Sequence, residues 1–488
     1  MNTTIFDLIA VLYSDIINLE KVKPQNSINK ETFDSWEKKA QELIRPINPQ
    51  NKSQLDGEMC ISSQAFYDII DYCKKENEFL LYRSVLCQLD SIIDLDVLIK
   101  KHDFNKSYDG NSCRTFNSLN DNYKESGVTI IPQVSSLANT FFVYKEAGTE
   151  DKNYKNAYYW YDNINDHFNN IFCIQNSILD GYIINNVIID LFKNRERDKI
   201  VIGATPCCNV PLNDLMNVRE CCNEETGMQH FEITEYYNPS FLTEKFLKVL
   251  DLAKKNKVDI LMGPEMLGSL ELCEPGELGF NQHFRDQEGQ APHLIATPSM
   301  WHDGKNYISV YLKTGELIGK QYKQNCFEYT DKGKRYEENL KDFPKEILLI
   351  HVPGRGRISF PICVDLLVAE YRDLLVRDLK SNLVLCPSYS TGTVQFGNAT
   401  GTIRDFGARL VWLNSCSALR KFTENPTAIG TVAVPITNPN DLDASAKRIC
   451  PKCQGNCLEC CMFTITIQAK SDEDKHCNDV EIKHVPLE

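Results

Sequence analysis

From "RERDKIVIGATP" onward the chain repeats one local pattern to about residue 470: a short β-branched or aliphatic run, a break, then a segment with apolar residues every three to four positions. Short apolar runs bounded by turn residues are strands, and the longer period is that of an amphipathic helix. Their alternation dictates an α/β domain. The strands read from the sequence are "KIVIGAT", "DILMGPE", "HLIATPS", "NYISVYL", "EILLIHV", "RISFPIC", "NLVLCPS" and "RLVWLNS", and the helices are "SFLTEKFLKVLDLAKKNK" and "LVAEYRDLLVRDLK". No internal repeat at a period of about 20 to 50 residues runs through them.

The preceding region has a different texture, rich in Asn, Asp, Lys, Ile and aromatics. Segments such as "SSQAFYDIIDYCKKENEFLLYRSVLCQLDSIIDLDVLIKK" and "NAYYWYDNINDHFNNIFCIQNSILDGYIINNVIIDLF" carry helical spacing, and "HDFNKSYDGNSCRTFNSLNDNYKESG" reads as an exposed loop. The aromatic stripe at "NAYYWYDN" is core or a partner surface. The expected organisation is a helical domain over residues 1–195 and an α/β domain over 196–488, joined by the charged linker "KNRERDK".

Acidic residues outnumber basic ones by 67 to 53 in the 488 residues, a formal charge of -14. That balance argues against nucleic acid and anionic membranes as partners and favours a small-molecule substrate. Asp7 and Asp15 interrupt the apolar N-terminus at helical spacing, and no run of about 18 apolar residues occurs, so the expected location is the cytoplasm. There the 20 cysteines are expected to be buried thiols, metal ligands or a few reactive groups rather than disulfides.

Three strand ends carry groups that together make a working nucleophile: Glu265 in "ILMGPEM", Lys323 in "ELIGKQYKQNCFEY" and Cys363 in "FPICVD". Functional groups of α/β sheets gather at the carboxyl ends of strands. A carboxylate can take the thiol proton, an ammonium can stabilise both thiolate and oxyanion, and the thiolate attacks. The backbone N–H of Val364 is a further oxyanion donor. Taken singly each residue has a plainer reading: Cys363 a buried small hydrophobe, Glu265 a surface carboxylate, Lys323 a solvated lysine with Lys320 as its competitor.

The order and context of these motifs resemble the nitrilase, or carbon–nitrogen hydrolase, superfamily over residues 197–470. "KIVIGAT", Pro264-Glu265, "YISVYLKTGELIGKQYK", "ICVDLLVAEYRDLL" and "TIRDFGARLVWLNS" succeed one another as they do there. The resemblance implies an α-β-β-α sandwich, a dimer or larger homo-oligomer, and hydrolysis of a non-peptide C–N bond through a covalent acyl-enzyme, without a catalytic cofactor. It also implies a second glutamate between lysine and cysteine, which "RYEENL" supplies as Glu337, with Glu338 its close rival. "CVD" at the nucleophile is nearer the amidase and carbamoylase form than the nitrile-hydrolysing "CWE", favouring an amide or ureide. The alternative is a signalling or defence regulator in which the hydrolase fold is an effector with conditional or no catalysis.

The segment "CPKCQGNCLECC" places Cys450, Cys453, Cys457 and Cys460 as C-x2-C-x3-C-x2-C. Paired C-x2-C knuckles suit one tetrahedral zinc ion as a structural element, with an iron–sulfur site or a reduced exposed loop as alternatives. If zinc is held, protein purified without added metal carries one equivalent by elemental analysis, and chelation loosens residues 440–465 before it affects Cys363. Less than about half an equivalent of zinc or iron, with the four thiols freely alkylated, returns the segment to a plain loop.

Overall fold

The computed structural model describes residues 3–20, 30–47, 60–93, 113–115, 127–133, 164–189, 199–207, 210–222, 228–276, 281–285, 292–331, 333–352, 356–390, 394–418, 428–435, 446–450, 461–468 and 479–486. They divide into two compact units, one running through Ile188 and one dominated by the chain from Ile189. Among the described residues no helix is long and apolar enough to cross a membrane.

The N-terminal unit is mainly helical: α1 (Ile5–Glu20), α2 (Lys30–Ile44), α3 (Ser63–Glu76) and α4 (Phe79–Ile92). Helix α1 starts where Thr4 and Asp7 bond reciprocally: Asp7 Oδ2 accepts from Thr4 N at 2.7 Å, and Asp7 N donates to Thr4 Oγ1 at 3.1 Å. Its Ile5, Leu8, Ile9, Leu12 and Ile16 recur at helical spacing and are all buried in one apolar cluster with α3 and α4. Asn77, in the left-handed conformation, ends α3 and splits the long helical stretch read from the sequence into two.

Helical spacing misleads further on. "NAYYWYDN" lies outside the described residues, but the chain beyond it is strand-rich: a 3-10 turn, β2 (Ile171–Gln175) paired antiparallel with β1 (Val128–Pro132), a short helical turn, and a strand at Ile183–Ile189. "IFCIQ" and "IINNVII" are dense in β-branched side chains, which lose rotamer freedom in a helix and fit a pleated surface. Asp90, fully buried at the end of α4, accepts from the N–H groups of Asn169, Asn170 and Ile171 and so holds the start of β2.

In the second unit the strands are β3 (Lys199–Cys207), β4 (Met216–Cys222), β5 (Gln229–Tyr236), β6 (Ile260–Met262), β7 (Leu294–Ala296), β8 (Met300–His302), β9 (Lys305–Leu312) and β10 (Leu317–Tyr322). After them come β11 (Glu328–Asp331), β12 (Lys334–Glu338), β13 (Glu346–Val352), β14 (Gly356–Ser359), β15 (Leu383–Ser388) and β16 (Arg409–Asn414). The last are β17 (Gly430–Ala433), β18 (Ala446–Ile449), β19 (Cys461–Gln468) and β20 (Asp479–Pro486). Every strand read from the sequence in this half is present, and the terminal β19–β20 hairpin extends the domain beyond residue 470.

One sheet has the order β8-β9-β7-β6-β3-β19-β20, with β10 also on β9, and a second runs β18-β17-β16-β15-β14-β13. The pairs β3–β6, β6–β7, β14–β15 and β15–β16 are parallel, so their carboxyl ends open in common directions. The sheets pack together, with β16 against β3 and β10 against β13. Helix α5 (Pro239–Lys255) covers the first sheet along β3 and β19, and helix α6 (Val394–Asp405) covers the second along β16 and β17. Phe396 of α6 stacks on Trp412 of β16 at 4.4 Å between centroids. The layering is therefore α-β-β-α, as expected. A separate small sheet, β11-β12-β5-β4, was not legible in the sequence.

The turn after β6 is the tightest approach near the strand ends. A Cβ on Gly263 would sit 2.2 Å from Pro298 N and 2.7 Å from Pro298 Cα, both backbone atoms that cannot swing aside. Gly263→Ala is expected to lower stability by about 1–3 kcal/mol through forced backbone displacement, and to misplace Glu265 two residues on. An unchanged denaturant midpoint for this variant would show that the turn has room the geometry denies.

Candidate active site

Glu265, Lys323 and Cys363 come from three strand ends: the turn after β6, the residue after β10, and the segment after β14. All three are buried, at 1%, 2% and 2% exposure. Lys323 Nζ lies 2.8 Å from Glu265 Oε1 and 2.6 Å from Glu338 Oε2. Cys363 is close enough for the charges of Glu265 and Lys323 to act on its thiol. The triad read from the sequence is thus one contiguous cluster.

The second carboxylate of the cluster is Glu338, not Glu337. Successive strand residues face opposite sides of a sheet, so on β12 only one of the neighbours can reach Lys323. Glu338 is buried and held by the Phe327 N–H at 3.2 Å, whereas Glu337 faces the other way, half-buried, with its Oε2 3.7 Å from His230 Nδ1. Lys320, the rival of Lys323, is engaged elsewhere: its ammonium sits 2.8 Å from both oxygens of Glu274 and 4.9 Å above the Tyr307 ring.

Asn306 of β9 organises the carboxylates, a role the sequence did not signal. Its Nδ2 donates to Glu265 Oε1 at 3.1 Å and to Glu338 Oε1 at 3.4 Å, and its carbonyl accepts the Lys323 N–H at 2.8 Å. Ser299 Oγ fixes the amide by donating to Asn306 Oδ1 at 2.7 Å while accepting the Met266 N–H at 2.9 Å. Glu265 Oε2 also accepts the Tyr389 N–H at 2.6 Å.

Cys363 has φ of +52°, a left-handed conformation that costs a non-glycine residue energy and turns its side chain away from the regular strand path. It opens the 3-10 turn Cys363–Leu366. Asp365 holds that turn: its Oδ2 accepts from Ile362 N at 3.1 Å, and its Oδ1 from Gln324 N at 3.0 Å and from Asn325 N and Nδ2, both at 2.9 Å. One carboxylate thereby ties the turn of the thiol to the segment just after Lys323. Burial pushes Asp365 up to about 7 against these donors and the charge of Lys323.

The electrostatics arise first from burial and then from the charges of two carboxylates around one ammonium. Burial raises the Glu265 pKa, opposed by the Lys323 charge and reinforced by Glu338. Burial raises the Cys363 thiol as well, with Glu265 adding to it and Lys323 opposing. Burial alone would lower Lys323, but the anions of Glu265 and Glu338 outweigh it and hold the ammonium charged.

Of the sequence-derived metal ligands, Cys453, Cys457 and Cys460 lie outside the described residues, and Cys450 is a half-buried free thiol next to β18. Among the described residues no group of three or more His, Cys, Asp or Glu side chains is placed to hold a metal ion. Val364, the other expected oxyanion donor, lies within the 3-10 turn next to the thiol.

No family model and no curated protein matches the chain. Among solved structures it is similar to a mutant of the Nesterenkonia AN1 amidase from the nitrilase superfamily, at 11% identity and a TM-score of 0.34, over 57% of this chain and 93% of that one. It is similar also to the C. elegans NitFhit protein, at 13% identity and TM-score 0.33, over 59% of this chain and 61% of that one. An N-terminal amidase aligns at 13% identity and TM-score 0.26, over 42% of this chain and 54% of that chain, so the chain spans less than two thirds of these latter two.

Proposed function

We propose that the second unit is a carbon–nitrogen hydrolase acting on a non-peptide amide or ureide through Cys363. The observation that carries this reading is the buried contact of Lys323 with Glu265 and Glu338 beside a thiol in a left-handed turn. A structural core has no need to bury two carboxylates and an ammonium around a cysteine, since apolar residues of similar volume do as well or better.

In the proposed reaction the Cys363 proton passes to Glu265 as the sulfur attacks the carbonyl carbon. The C=O electron pair becomes an oxyanion facing the Lys323 ammonium and the Val364 N–H. As the C–N bond breaks, Glu265 returns the proton to the departing nitrogen, leaving an acyl thioester on Cys363. Water then attacks the thioester, giving up a proton to Glu265, and the thiol leaves protonated. The sum is amide plus water to acid plus amine. Glu338 holds Lys323 in place and keeps it charged.

Cys363→Ala is expected to abolish turnover with little loss of stability, because only a small side chain is removed. Lys323→Ala should cost about 10²–10³-fold in kcat from the oxyanion contribution, with added destabilisation from two unpaired carboxylates. Glu338→Gln should impair turnover far more than Glu337→Gln, and Lys320→Ala should be mild. Rates on a panel of simple amides and ureides, with the Cys363 adduct monitored by intact mass spectrometry, check the set. Hydrolysis retained by the alanine variant at Cys363 would sink the reading.

A further inference from the structure

Trp301, on β8, is 5% exposed, and its backbone N–H donates to the Tyr236 hydroxyl at 3.0 Å. Its indole Nε1–H is buried and has no acceptor among the described residues. Native proteins satisfy nearly all buried donors, so a donor left over close to reactive groups is one that a ligand can satisfy. The ring packs in an apolar cluster with Met266 and Leu267, and Tyr389 lies against that cluster. Met266 is the neighbour of Glu265 in the chain, and the Tyr389 N–H donates to Glu265 Oε2 at 2.6 Å. Tyr236, bonded to Trp301, has its hydroxyl pushed up by burial and further by the charges of Cys273, Glu265 and Glu338. Trp301 also stands directly opposite Asn306 in the antiparallel β8–β9 pair, where facing residues share one side of the sheet, and Asn306 donates to both Glu265 and Glu338, so the indole belongs to the surroundings of the carboxylates.

We propose that Trp301 Nε1–H is the specificity donor of this site, taking a neutral carbonyl oxygen that the substrate carries beyond the scissile C–N bond. The inference rests on the reading of Cys363 as nucleophile. An indole N–H donates and does not accept, so its partner is an acceptor. The partner is neutral because Glu265 and Glu338 outnumber Lys323, and a substrate carboxylate would bring a further negative charge into a buried site. Diamides, ureides and peptide-like amides carry such an oxygen.

The test uses alkylation of Cys363 in the full chain by three probes, N-chloroacetylglycinamide, N-chloroacetylglycine and N-propyl chloroacetamide, read by peptide mass mapping. In each case the S–C bond forms as chloride leaves, and the thiol proton passes to Glu265. The glycinamide probe should label about tenfold faster than the propyl probe, and the carboxylate probe slowest. Trp301→Phe, which keeps the ring contacts and removes the N–H, should bring the ratio of the glycinamide rate to the propyl rate down to about one. Equal wild-type rates for glycinamide and propyl probes, fastest labelling by the carboxylate, a preference that survives Trp301→Phe, or no labelling of Cys363 would each overturn the inference. Failure of the catalytic reading is seen separately, as amide turnover that persists in Cys363→Ala.

Discussion

The structure of the second unit depends on an ammonium out of water. Lys323 has 3% of its side chain exposed and is tolerable there only because Glu265 and Glu338 touch it at 2.8 and 2.6 Å. Removing either partner of a buried pair leaves an uncompensated charge, at a cost of about 3–5 kcal/mol. Each of the three residues arrives from a different strand, so the ion cluster works only if the turn after β6, the end of β10 and the end of β12 meet within hydrogen-bond distance. Asn306 closes that arrangement by donating to both carboxylates and accepting from the Lys323 backbone. Gly263 permits it, because its lack of a Cβ lets the chain run against Pro298.

A second constraint meets the first at Asp365. The left-handed backbone at Cys363 is unfavourable by itself and persists because its surroundings over-determine it. Asp365 accepts from the residue before the cysteine and from the two residues after Lys323. The turn carrying the thiol and the strand end carrying the ammonium are thereby fixed relative to each other by a shared carboxylate. Neither could shift by an ångström without orphaning buried N–H groups.

Much of this was legible in the sequence, and the parts that were not have physical reasons. Glu265 and Cys363 follow strands whose apolar runs are plain in the sequence, whereas Lys323 follows the mixed run "LIGKQY" and was placed by the order of the motifs around it. Glu338 lies on β12, in a small sheet of mostly polar strands such as "KRYEE", where no apolar pattern fixes which face is inward. Register alone decides between Glu337 and Glu338, and register is set by pairing to β5 and β11, which no local signal announces. The N-terminal unit shows the converse: α1 was readable from its spacing, while "IFCIQNSILDGYIINNVII" mixes both periods and the β-branched residues won. Asn306 and Trp301 were invisible because their roles come from neighbours distant in sequence.

The same burial that makes the cluster costly to assemble shapes what it can do. Glu265 and Cys363 are both pushed towards their protonated forms by desolvation. Passing a proton from the thiol to Glu265 leaves the net charge of the buried group unchanged, so the step asks for no compensating charge from solvent. Lys323 faces the anion in either state, first the carboxylate and then the thiolate, and Glu338 keeps its ammonium charged throughout. A lone thiolate in the same surroundings would be strongly disfavoured. On the proposed reading the cluster is therefore a device for moving one proton at constant charge, and the surplus of carboxylates over ammonium ensures that the substrate it meets best is one that brings no negative charge of its own.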